Sequence, residues 1–426
     1  MRFCCILVRK QVTRMLKFEI KKYFSKTVNK LILIVVLLVA VGYSFLAAES
    51  MRYTDTDGVS LDGIGKITAG RKLAADKNQW KGKLTAERIA DAVRNYKGLR
   101  QQYQGEVPDS EYGKKVQAYW DILNFTANVY TVEPEFLPDV MVRISEEEVN
   151  NIYDIYADNQ QKASEEYGKT PEQEEFIKEQ YGKLEIPADY EAYDSWETMT
   201  MYIQTYVIIL VIVIGFMAAG IFDEEFRNHA ELVFFAAKYG RSKAVRNKIA
   251  AGMLTATVVY WTGAGIMSLI SFGIMGASGF HTPYQIEDPY SVYVMTQGQR
   301  YLLIVVCGYI ASLLSASVTM LVTAKMRTAK VAVCIPFFMF CMMLFIARSL
   351  SDVTRVVYYT TDVLTNVIQA VKVPTLFQIG DMVILQLPFV MVLYFAVSII
   401  LLPFIYRSYS RYGLSKRRSA KENRKK

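Results

Sequence analysis

Histidine is nearly absent: His229 and His281 are the only two in 426 residues. That leaves little basis for a histidine metal centre or for histidine acid–base chemistry. The chain also has long stretches without any charge. Leu31–Ala48, Met201–Phe222, Ile249–Met275, Tyr301–Ala324, Val331–Ala347 and Met382–Tyr406 hold no Asp, Glu, Lys, Arg or His. Proton- and ion-coupled transport usually needs ionisable groups at membrane depth, so these blocks argue against it. The intramembrane metalloprotease class is disfavoured by the same lack of ligands. A phosphate-binding loop of the G-x-x-x-x-G-K-[ST] type is missing as well. The nearest match, Gly168-Lys169-Thr170, has Ala163 where the first glycine is needed. The segment 49–200 contains none of the five cysteines, so it is expected to fold without disulfides. No metal and no cofactor is expected in this chain.

What is present is apolar length. Each of the six blocks approaches the roughly 20 residues that a membrane-crossing helix needs. Val331–Ala347 is the shortest and is interrupted by Pro336. The expected fold is therefore an all-α polytopic membrane protein with six transmembrane helices. The first block starts late and has a long apolar core, so it is expected to remain as a span rather than be cleaved as a signal. Gly308, Ser312 and Ser315, with Gly263 and Gly265 nearby, are read as small residues that let helices approach closely.

Orientation follows from the basic residues. Residues 1–30 hold nine Lys/Arg against Glu19, 223–248 hold six, 325–330 hold Lys325, Arg327 and Lys330, and 407–426 hold nine against Glu422. These segments alternate correctly for one side, which puts both termini in the cytoplasm and residues 49–200 outside. The segment 49–200 holds 18 basic and 30 acidic residues, a net of −12. The remainder holds 31 and 11, a net of +20, which restores the overall +8. The basic excess is thus an orientation signal that needs no nucleic acid, and anionic membrane lipids favour the basic tail.

Residues 49–200 read as a mainly helical extracytoplasmic domain. Helical apolar spacing runs through Tyr112, Val116, Tyr119, Trp120, Leu123, Ala127 and Tyr130. Ser145 with Glu148 forms a capping box, and Thr170-Pro171 with Gln173 predicts another helix start. A further helix is expected over Thr85–Gln104. Asn124-Phe125-Thr126 matches a glycosylation acceptor but falls inside a predicted helix.

The loop after the second block carries Asp223, Glu224, Glu225 and Glu231, then an apolar run Leu232–Ala237, then Gly240 as a helix stop. Ser242 is the expected cap of the next helix. Before the first block, Met15, Leu16, Ile20, Tyr23 and Phe24 lie on one face, with Lys17, Lys21 and Lys22 on the other. That composition is of an interfacial helix.

In these features the chain resembles the permease subunits of ABC transporters, of the type-2 exporter family. Members typically have six spans, an amphipathic helix before the first, and a coupling helix between the second and third that docks on a separate ATPase. Glu224, Glu225, Leu232, Val233, Phe234, Phe235, Gly240, Arg241 and Lys248 stand where that family's coupling loop places its early Glu, apolar stretch, small-Arg turn and final Lys. The large segment between the first two spans occurs in only part of the family. The resemblance implies a non-enzymatic permease in the plasma membrane, an ABC ATPase subunit as partner, and a second permease copy or a sister permease. A membrane receptor or adhesion protein with an outer helical domain is the alternative.

Overall fold

The computed structural model describes residues 15–55, 64–105, 107–131, 137–350 and 358–412. Expectations that fall on 1–14 and 413–426, including most of the basic tail, lie outside these residues. Among the described residues five helices are long and apolar enough to cross a membrane: Thr27–Ser50, Asp194–Ala219, Lys243–Met275, Gln297–Met326 and Gln386–Ser410. They are called the first to fifth long helices below.

The fourth is central. Of its most apolar window 72% is buried, against 28% in the first long helix and 17% in the fifth, which pack at the edge of the bundle. Between Leu31 and Leu46 and between Pro388 and Phe404 the exposed side chains of those two edge helices are apolar, among them Leu31, Ile34, Leu38, Val392, Phe395 and Ile400. An apolar surface of that extent suits lipid rather than water.

Small and hydroxyl residues set the close approaches at the centre. A Cβ on Gly308 would stand 2.3 Å from Val207 Cγ1 and 2.5 Å from the Tyr260 hydroxyl. Glycine is therefore required where the second, third and fourth helices meet. Ser315 donates to the Val211 carbonyl at 2.9 Å, and Tyr260 donates to that of Val305 at 2.6 Å. Gly263 likewise faces the Tyr206 hydroxyl, but Gly265 faces open space and packs against nothing.

Two expected spans differ. Val331–Ala347 is no continuous helix: it comprises Ala329–Ala332, Ile335–Phe337, a π-helical Phe338–Met342 and Met343–Leu350. Pro336 lacks an N–H for the helical ladder, and its ring presses on Gly215. The π segment adds a second irregularity. The last span begins at Gln386 rather than Met382, because Met382–Leu385 pairs antiparallel with Leu376–Ile379. Gly380, with φ 62°, occupies the first position of the two-residue loop, where such hairpins favour glycine.

Between the first two long helices lies an inserted helical domain. The helix expected over Thr85–Gln104 runs Ala86–Gln102 with Thr85 as its cap, and Ser145 and Glu148 complete the expected reciprocal capping box. Thr170 caps the Gln173 N–H, but the Gln173 side chain accepts from Lys169 N–H rather than from Thr170. The helix expected through 112–130 is broken into Asp109–Lys115, a 3₁₀ turn and Trp120–Tyr130. At the break the Gln117 amide accepts from Thr54 N–H at 3.0 Å and donates to Thr54 O at 3.2 Å. Thr126 is fully buried in the last of these helices, so the acceptor triplet is not presented on a surface loop.

The core of this domain is not closed within 49–200. Ile286, Tyr290 and Val292, from the connection between the third and fourth long helices, belong to the same apolar cluster as Ile122, Phe125, Ile152 and Tyr156. Tyr156 donates to Pro289 O at 2.7 Å, Tyr181 to Tyr290 O at 2.8 Å, and Tyr290 to Val129 O at 2.6 Å.

Candidate functional site

The helix over residues 15–25 precedes the first long helix. Tyr23 is buried, and Met15, Leu16, Ile20 and Phe24 are half-buried, while Lys17 and Lys21 face outward. Lys22 does not join them. It turns inward to Glu225 at 3.3 Å and Glu224 at 3.4 Å. Lys26 reaches Glu224 at 3.0 Å and the Gly220 carbonyl at 3.4 Å.

Glu225 is the hub. Its Oε1 lies 2.8 Å from Lys248 Nζ, and its Oε2 accepts from the Tyr409 hydroxyl at 2.9 Å. Lys248 also donates to Ile221 O at 3.1 Å and stands 3.7 Å from Glu19. Four pieces of chain are joined here: the N-terminal helix, the loop after the second long helix, the start of the third and the end of the fifth. Glu225 and Lys248 are 5% and 1% exposed, so both are spent inside the chain.

Burial alone would push the Glu225 carboxyl up. The Lys248 and Lys22 ammonium groups and the Tyr409 hydroxyl outweigh it and hold the carboxyl below its ordinary range. At Lys22 burial acts to lower the ammonium, but Glu225, Glu224 and Glu19 raise it above its ordinary value.

The loop itself forms two short helices, Glu224–Arg227 and Glu231–Ala236. His229, with φ 54°, makes the left-handed turn between them. Phe235 is buried, with ring centroids 5.1 Å from Tyr409 and 4.9 Å from Tyr412. Phe234 is half-buried against the same Tyr409. Arg241 lies over the Phe235 ring at 4.9 Å and donates to the carbonyls of Ser410 and Tyr412 at 2.8 and 2.7 Å. It thereby satisfies the carbonyl end of the fifth long helix. Gly240 permits the loop to close, since a Cβ there would lie 1.8 Å from Phe234 O. Ser242 makes no side-chain cap, contrary to expectation.

Leu232 and Val233 remain at the tip, 73% and 76% exposed. Arg227, His229 and Lys238 of the same loop are exposed as well. The arrangement is a braced apolar tip on a loop that also exposes basic side chains. Of the residues expected to form a docking loop, Leu232 and Val233 face outward, whereas Glu225, Phe235, Gly240 and Lys248 hold the loop together from behind. Sequence reasoning missed Lys22, Lys26 and Tyr409 as members. The available signal was an acidic run, 223–225, lying between two basic segments on one side of the apolar blocks.

No metal-binding group of three or more His, Cys, Asp or Glu occurs among the described residues. Compared with protein-family models, curated proteins and solved structures, the chain matches none.

Proposed function

We propose that this chain is the membrane-spanning permease subunit of an ABC transporter, an exporter driven by ATP hydrolysis in a separate ATPase subunit. The observation that supports it most is the exposed Leu232–Val233 tip on a loop tied by Glu225 and Lys248 to three other elements. An ATPase groove that takes Leu232 and Val233 gains apolar burial, as helix-in-groove recognition does. The exposed basic side chains of the loop, Arg227 and Lys238, orient the partner more than they strengthen binding. Force applied to the tip then passes through the buried ion pair directly to the third long helix, and through Tyr409 to the fifth.

In this reading the chain crosses the plasma membrane six times, with the broken segment 329–350 as the fifth crossing. Both termini lie in the cytoplasm and the inserted domain outside, as basic-residue placement requires. A second permease copy or a sister permease completes the assembly.

The test is purification of the full chain from its native membrane in mild detergent. An ATPase subunit should accompany the wild type in fixed ratio and hydrolyse ATP. Leu232→Asp with Val233→Asp should lose it while inserting normally. Retention of the ATPase at the wild-type ratio by that double variant overturns the coupling assignment.

A further inference from the structure

A cavity of about 1070 Å³ opens where the inserted domain meets the end of the first long helix and the start of the second. Its floor is built. Lys77, 4% exposed, is held by Asp121 at 2.6 Å and Asp194 at 2.5 Å, and Tyr190 donates to the second Asp121 oxygen at 2.8 Å. The second Asp194 oxygen is buried without a hydrogen-bond partner. The rim is fixed too, by the paired bonds of Gln117 to Thr54.

The walls carry both charge signs beside aromatic rings. Glu49 and Glu197 face the space together with Arg52 and Lys66, and Tyr112, Trp120 and Tyr202 supply ring faces and edges. Met201, 57% exposed, lines the space from the second long helix. The charged lining residues are three carboxylates, Glu49, Asp194 and Glu197, against three cations, Arg52, Lys66 and Lys77, so the cavity carries both signs in equal number. A ligand of one sign alone meets as many repelling groups as attracting ones. A ligand with an ammonium gains from Glu49, Glu197 and the rings, since cations favour aromatic faces. A phosphate on the same ligand pairs with Arg52. The cavity sits at the ends of two apolar helices, at the level where a bilayer presents its headgroups.

We propose that this cavity binds the zwitterionic headgroup of an amine-bearing phospholipid, which enters sideways past Met201 with its acyl chains left against the long helices. The proposal goes beyond the permease reading. It rests on the membrane location alone and needs no ATPase.

Native mass spectrometry of the full chain in detergent, with added phosphatidylethanolamine or phosphatidylglycerol, tests it. Phosphatidylethanolamine should be retained preferentially, and Glu197→Gln with Arg52→Gln should weaken that retention by about tenfold. Equal retention of the two lipids, retention of neither, or a double variant that still retains phosphatidylethanolamine like wild type overturns the proposal. Soluble glycerophosphoethanolamine at equal concentration should not displace the lipid. Equal displacement would assign the site to a free solute and overturn the lipid assignment. A second readout avoids charged substitutions. A phosphatidylcholine with a nitroxide on its headgroup should quench wild-type fluorescence more than that of Trp120→Phe, and unlabelled phosphatidylethanolamine should relieve the difference. Identical quenching of the two proteins places the headgroup elsewhere.

Discussion

Lys248 Nζ meets Glu225 Oε1 at 2.8 Å, and the two residues belong to opposite ends of one loop. Glu225 follows the second long helix and Lys248 lies in the first turns of the third, so this pair closes the loop at its base. Neither group has water to fall back on. Removing one partner of a buried pair costs about 3–5 kcal/mol when the other charge is left uncompensated, and less than that here because Lys22 still stands 3.3 Å from Glu225. Lys248→Met should therefore lower the thermal midpoint in detergent markedly. Lys248→Met combined with Glu225→Gln should recover part of the loss, because no charge is then stranded. A double variant as unstable as the single one would show that the pair is not the source.

The same cluster predicts a pH profile. Glu225 titrates below its ordinary value of 4.5 when folded, so its contribution is present above that value and is lost as pH falls through the folded one. Lys22 titrates above 10.5 when folded, so its contribution is present below 10.5 and fades as pH rises beyond it. Its side chain is 31% exposed, and solvent screening makes that alkaline effect the smaller one. The contribution of this cluster to the thermal midpoint should thus be level through neutral pH and fall on the acid side. Glu225→Gln should flatten the acid limb, and a limb unchanged in that variant would locate the titration elsewhere.

The inserted domain should not fold alone. Residues 50–200 expressed separately lack Ile286, Tyr290 and Val292, and so lose the carbonyl partners of Tyr156 and Tyr181 at Pro289 and Tyr290. Large apolar residues then face water, and two buried hydroxyls go unpaired. Circular dichroism should show helix without a cooperative melt, together with dye binding to exposed apolar surface. A sharp cooperative melt would show that the cluster closes without the 286–292 segment.

These outcomes mark where the sequence was legible. The Ser145–Glu148 box was readable because a capping box depends on residues three apart. The break near Gln117 was not, because its cause is Thr54, 63 positions earlier. Lys22 looked solvated by helical spacing, yet Glu224 and Glu225 turn it inward from 200 residues away, a pairing that no local pattern encodes. Met382–Leu385 reads as the start of a span by hydropathy alone. The turn residues Gly380-Asp381 just before it carried the strand signal, and a short apolar run is ambiguous between helix and strand. The apolar tip was found as a stretch, but which of its residues face outward depended on Tyr409 and Tyr412 arriving from the other end of the chain.

That last division yields a prediction separating stability from docking. Phe235 is packed between Tyr409, Tyr412 and the Arg241 guanidinium, and truncating a buried Phe typically costs about 3–5 kcal/mol. Phe235→Ala should lower the thermal midpoint of the purified chain and loosen the end of the fifth long helix, where Arg241 is stacked. Leu232→Ala and Val233→Ala remove side chains that already face solvent, so their effect on the midpoint should stay within about 0.5 kcal/mol. Melting curves of the three variants in one detergent decide the matter. If Leu232→Ala or Val233→Ala destabilises the isolated chain as much as Phe235→Ala does, those residues are covered by the protein's own surface and have no free face to offer an ATPase.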